Sequence, residues 1–142
     1  MWLWVEQRGA TFRDTVTVAS MIEKEAANDD ERALIASVIY NRLNAGMPLG
    51  IDATILYEFP DYEGGVNLPE EIRNFDSPYN TNLYTGLPPT PVSNPGMASI
   101  NAALKPASSN YYYYALDAEA GTHRFFTSYG EFEAFVATQN YE

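Results

Sequence analysis

Ala19-Ser20-Met21-Ile22-Glu23-Lys24-Glu25-Ala26 carries the reading on which everything else turns. At about 100° per residue, Val18, Met21, Ile22 and Ala26 form one apolar stripe of a helix, and Glu25 lies inside it. Glu23 and Lys24 fall on the other side, toward water. A carboxyl group among apolar side chains is harder to ionise, so its pKa rises toward the range a general acid needs. Two glutamates two residues apart therefore have different jobs, and Glu25 is the candidate acid. An acid that partners a buried arginine, or sits at the rim of the core with its head in water, would fit the same wheel, which leaves both readings open.

Outward from this helix, Asn28-Asp29-Asp30-Glu31 offers capping oxygens and negative charge to a second helix, Arg32 to Leu43. That helix is apolar nearly all round and so largely buried. Asn44-Ala45-Gly46 ends it, with Gly46 suited to the left-handed C′ position and Pro48 close behind. Ile51 to Tyr57 reads as a short strand. Glu58 to Pro78 reads as a long loop with one helical turn near Pro69-Glu70-Glu71-Ile72. Tyr79 to Thr85 alternates as an extended segment, and Gly86-Leu87-Pro88-Pro89-Thr90-Pro91 is a rigid turn.

A third helix is expected with Asn94 as N-cap, Pro95 at N1 and a run through Leu104 that stops before Pro106. Tyr111 to Leu116 and His123 to Thr127 pattern as a hairpin around Asp117 to Thr122. A short amphipathic helix, Tyr129 to Thr138, closes the chain. Helices followed by strands argue for an α+β fold, with N-terminal helices packed on a small, mainly antiparallel sheet.

Composition narrows the function. A chain of 142 residues, 46% hydrophobic, is one domain with a real core. Eight Lys and Arg against 19 Asp and Glu give a net charge of −11, a poor match for phosphate backbones or anionic lipid, so no nucleic-acid partner is expected. Without cysteine there is no disulfide framework and no thiolate nucleophile. Met1 to Val5 is too short for a signal-peptide core or a membrane span.

The single histidine, His123, removes any His-His metal site and reads as a structural hydrogen-bonder. There is no G-x-S-x-G elbow, P-loop or dinucleotide-binding glycine pattern, and neither metal nor cofactor is expected. Acid/base chemistry by carboxylates remains, amid 11 Tyr, 7 Phe and 2 Trp that suit sugar stacking or an ordinary core equally well.

Several collinear blocks point further. Ala19 to Ala26, Val38-Ile39-Tyr40-Asn41-Arg42-Leu43 and Gly46-Met47-Pro48-Leu49 are followed by Asp52-Ala53-Thr54-Ile55-Leu56-Tyr57. Then come Ser77-Pro78-Tyr79-Asn80-Thr81, Thr85-Gly86-Leu87-Pro88-Pro89, Asn94-Pro95-Gly96, Ala102 to Ala107 and Gly121-Thr122-His123-Arg124-Phe125. Together they resemble the catalytic domain of the endolytic murein transglycosylases, the YceG-like family, from Val16 to Phe126.

The resemblance implies a lysozyme-like active-site helix and cleavage of peptidoglycan between N-acetylmuramic acid and N-acetylglucosamine inside the strand, leaving 1,6-anhydromuramoyl ends. It also implies that the second Glu of Glu-Lys-Glu, Glu25, is the catalytic acid and then base. Among supporting residues, Tyr79, Asn80 and Thr81 either bind sugar hydroxyls and the acetamido group or fix the turn that follows. Asp52 and Thr54 either line the groove or cap local backbone. Arg42 ends a buried helix as a dipole-complementing cation or touches substrate. Glu23, grouped with the substrate-binding residues, is either a solvated or ion-paired neighbour or a second catalyst.

By the same resemblance, residues 16–142 are the catalytic domain and 1–15 a remnant of a preceding segment. The full-length protein is extracytoplasmic, tied to the membrane only through a helix outside this chain, and works near cell-wall synthases to end nascent strands. Many relatives carry histidine where Phe132 stands. Two other readings compete: a muramidase-type hydrolase with Asp52 or Glu23 as second carboxylate, and a glycan-binding module without catalysis.

Overall fold

The computed structural model describes residues 11–141. Thr11 opens helix α1, Phe12–Glu25, through a reciprocal capping box: its hydroxyl accepts the Asp14 N–H, and the Asp14 carboxylate accepts its own. Of the expected 1–15 remnant, residues 1–10 lie outside the described residues, and the part from Phe12 onward already belongs to α1. Asn28 caps a 3-10 turn, Asp29–Glu31, which leads straight into α2, Arg32–Ala45. Gly46 closes α2 with φ of 70°, the left-handed C-terminal conformation that its missing side chain permits.

Three short helices follow: α3, Asp52–Leu56; α4, Glu70–Arg73; and α5, Met97–Leu104. Strands β1, Tyr113–Asp117, and β2, Thr122–Phe126, pair antiparallel, Tyr114 opposite Phe125 and Leu116 opposite His123. Helix α6, Tyr129–Val136, begins at a Ser128 cap. The α+β reading holds, with two strands as the whole sheet among the described residues.

The core is helix on helix. Val18, Met21 and Ile22 of α1 pack with Ile35 and Ile39 of α2 and with Ala102 and Ala103 of α5. Tyr114 and Phe125 bring one face of the hairpin against that cluster. Helix α2 also grips the approach to β1 by hydrogen bonds: the Asn41 amide donates to the Ser109 and Tyr111 carbonyls, and Arg42 Nε donates to the Tyr112 carbonyl.

Three local expectations are corrected. Ile51 to Tyr57 is not a strand but contains α3: Thr54 bonds back to the Ile51 carbonyl, and among the described residues the only strands pair with each other. Tyr79 to Thr85 is not extended but a series of turns: Asn80 accepts the Asn82 N–H on its side chain, and the Leu83 and Tyr84 N–H groups both bond to the Asn80 carbonyl. This is the local competition that Asn offers to regular structure. The third helix starts at Met97 with Gly96 as N-cap, two residues later than Asn94 would set it, because Glu23 of α1 reaches over to accept the Gly96 N–H at 2.9 Å.

Candidate active site

Glu25 is the last residue of α1, and an open cleft passes over it. The cleft has two lobes of about 560 Å³ each, which share Lys24, Glu25, Asp52 and Val66. One lobe extends between α2 and the hairpin, past Arg42, Tyr114 and His123. The other runs along a wall of three aromatic residues, Tyr57, Phe59 and Tyr62, together with Pro60. Glu25 sits where the two meet.

The residue is partly open to the cleft, yet its carboxyl lies deep among protein atoms. Burial raises its pKa and the charge of Asp52 adds to the rise, while a hydrogen bond from Tyr114 and the nearby His123 pull the other way. The Tyr114 hydroxyl donates to Oε1 at 2.6 Å. Burial, with Glu25 beside it, pushes the Tyr114 phenol well up, so it stays a neutral donor. Asp52 is the second acid of the cleft; burial raises its pKa too, against the charge of Arg73.

Glu23 goes elsewhere. Its Oε1 accepts from the Gly96 N–H and the Ser99 hydroxyl, with Arg32 3.7 Å away. The Gly96 and Ser99 hydrogen bonds hold its pKa below the usual carboxylate range. It lines neither lobe and anchors the start of α5.

Asn80 and Thr81 are buried and fully used: the Asn80 amide donates to the Arg73 and Phe75 carbonyls, and the Thr81 hydroxyl receives the Ile51 N–H and meets Thr54 at 2.9 Å. Tyr79 bonds Thr90 at 2.8 Å and stacks obliquely on Tyr57. Tyr79 thus bonds into the Gly86 to Pro91 turn, whereas Asn80 and Thr81 brace the end of α4 and the start of α3. Thr54, fully buried, belongs to the same scaffold, whereas Asp52, at the start of α3, lines both lobes of the cleft.

Arg42 does border the cleft, but its guanidinium is tied to the Tyr112, Pro48 and Leu49 carbonyls and lies 4.9 Å over the Tyr113 ring. Gly50, beside it, has φ of 62°, and a Cβ there would come within 3.2 Å of Asn82 and 3.5 Å of Arg42, so glycine lets the loop close over α2. Phe132 lines the same lobe.

His123 is structural: Nδ1 lies 2.8 Å from Glu31 Oε2 and its ring meets Tyr114 edge-on. Glu31 was legible only as capping charge, yet it is buried; burial alone would raise its pKa, but bonds from His123 and from the Ala27 N–H hold it lowered. Tyr114 was hidden in the run Tyr111-Tyr112-Tyr113-Tyr114, and the signal that finds it is the period of two across the hairpin, which puts Tyr114, Leu116, His123 and Phe125 on one face.

The fold and cleft define an α+β protein with a helix-borne, desolvated carboxylic acid at the floor of an open groove. The chain belongs to the YceG-like family, whose model matches residues 2–138. It is 46% identical over 99 residues to an endolytic murein transglycosylase of Bacillus subtilis, covering 70% of this chain and 27% of the relative. It is 36% identical over 120 residues to one of Streptococcus pneumoniae, covering 82% and 22%. The chain thus spans about a quarter of the length of these curated relatives. A crystal structure of a yceG-like protein from Listeria monocytogenes superimposes with a TM-score of 0.83 at 36% identity, covering 93% of this chain and 42% of that one.

Proposed function

We propose that this chain is the catalytic domain of an endolytic peptidoglycan lytic transglycosylase with Glu25 as its single acid and base. The observation that carries the reading is the Glu25 carboxyl: desolvated, raised in pKa and seated between two open lobes of one cleft. Retaining glycosidases need a second carboxylate about 5 Å away, and inverting ones need a base that positions water. An anhydro-forming lyase needs neither. Glu25 gives its proton to the glycosidic oxygen as the bond to C1 breaks, and that oxygen keeps the electron pair. The C6 hydroxyl of the same muramic residue then closes on C1 and passes its proton back to Glu25. The substrate's acetamido group steadies the charge at C1, as in other substrate-assisted glycosidases.

Lobes on both sides of the acid support binding within a strand rather than at its end. The same reading places the activity outside the cytoplasm, on murein, with synthases as neighbours whose nascent strands it ends. Attachment to the membrane then runs through a segment other than the described residues, in which no helix is long and apolar enough to cross one.

A hydrolase reading is favoured by one observation, the presence of Asp52 in both lobes beside Glu25. Burial works against it by holding Asp52 toward its neutral form, which weakens a nucleophile or base. Mass spectrometry of digested glycan strands tests the choice. Anhydro ends, lighter by one water than reducing ends, are expected; reducing ends alone would favour hydrolysis, and no cleavage would leave a binding module.

A further inference from the structure

We infer that Tyr114 is a positioning residue for the reacting acid: its hydroxyl holds Oε1 of Glu25 and so assigns Oε2 as the oxygen that meets the glycosidic bond. The inference rests on the functional reading of Glu25 above. Among the described residues, the Tyr114 hydroxyl is the hydrogen-bond donor to Glu25, at 2.6 Å. A carboxylic acid with one oxygen engaged by a neutral donor carries its proton on the other.

The placement of Tyr114 is itself fixed by a closed circuit. Its ring packs edge-on to His123, with centroids 5.3 Å apart at 87°, and against Phe125 at 5.9 Å. His123 bonds Glu31 at 2.8 Å, and the same Glu31 carboxylate accepts the N–H of Ala27 at 3.0 Å, two residues beyond Glu25. Glu31 thereby ties the hairpin that carries Tyr114 to the end of the helix that carries Glu25. Acid and donor are thus registered to each other through Glu31 as well as through their own bond.

The chemistry asks for this donor twice. When Glu25 has lost its proton to the leaving oxygen, its carboxylate would stand buried beside the charge of Asp52, and a hydrogen bond to an ionised acceptor is about twice as strong as a neutral one. Tyr114 therefore favours the charged intermediate form more than the resting acid, which speeds proton donation. The charged and titratable groups facing the pair are Asp52 from α3, His123 from β2 and Arg42 from α2.

The test combines Tyr114→Phe with replacement of Tyr114 by ortho-fluorotyrosine, a stronger donor of almost the same shape, each in the full chain. Carboxyl NMR of carbon-13-labelled Glu25 reads the titration directly, and kcat and KM are measured on peptidoglycan strands. In Tyr114→Phe the Glu25 midpoint should move up and kcat should fall about tenfold or more at unchanged KM, the scale of one charge-assisted hydrogen bond. With fluorotyrosine the midpoint should move down, and the alkaline limb of the rate profile with it. A midpoint that stays put in both proteins overturns the inference, as does a kcat loss that merely tracks lost thermal stability. The titration needs no turnover, so a wild-type chain that cleaves nothing refutes the functional reading while Tyr114 is still judged.

Discussion

Helix α1 sends Glu23 and Glu25 into two different regions, and the difference between them teaches how one chain sets the pKa values of two neighbouring acids in opposite directions. On the α5 side, Glu23 is partly exposed and takes two hydrogen bonds with a guanidinium nearby, which holds it ionised. On the cleft side, Glu25 is desolvated and faces another acid, which raises its pKa against the pull of its one phenol partner, Tyr114. The covalent chemistry is identical. What differs is the number of donors weighed against lost hydration.

The largest expected effect is at Glu25. Glu25→Gln should lower kcat about a thousandfold with binding retained, followed as release of cleaved glycan. In the proposed mechanism the acid form donates the proton, so turnover should be present at low pH and lost as pH rises through the raised Glu25 value. Stability follows the same sign: a folded-state pKa above the unfolded one contributes below the unfolded value and is lost as pH rises. Glu25→Gln should therefore melt higher than wild type in alkaline buffer, and equal melting at high pH would argue that the carboxyl is not desolvated.

Glu31 is expected next, with the opposite sign. Its pKa is lowered, so its contribution is present above the unfolded value and lost as pH falls through the folded one. Glu31→Gln should cost about 3 kcal/mol in urea unfolding at neutral pH, because three donors lose a charged acceptor at a buried site. That cost should shrink in acid.

Glu23→Gln comes last. A partly exposed acid with a loose ion pair should cost below about 1 kcal/mol and leave kcat within a few-fold of wild type. A hundredfold loss there would mean that the two regions are not separate.

Glu25 was legible because helical periodicity is a local property and its stripe is contiguous in the chain. The buried second helix, the Gly46 stop and the hairpin were legible for the same reason. Tyr79, Asn80 and Thr81 were ambiguous, since polar side chains beside a rigid turn suit sugar or backbone equally; their partners, Thr90, Arg73, Phe75, Ile51 and Thr54, exist only once the chain has closed. The Ile51 to Tyr57 segment misled because its β-branched and aromatic residues, Ile51, Thr54, Ile55 and Tyr57, favour strands, a preference that tertiary context overrode. The hairpin face of Tyr114 follows from the period of two, but its partner and that of Glu31 were not legible, because each lies about 90 positions away.

A two-stranded ribbon is seldom stable alone. Here the ribbon that bears Tyr114 is secured by side chains of α2 and by Glu31. Warming should thus silence the protein before it melts: once that clasp slips, the acid loses its tuner while the helical body still stands.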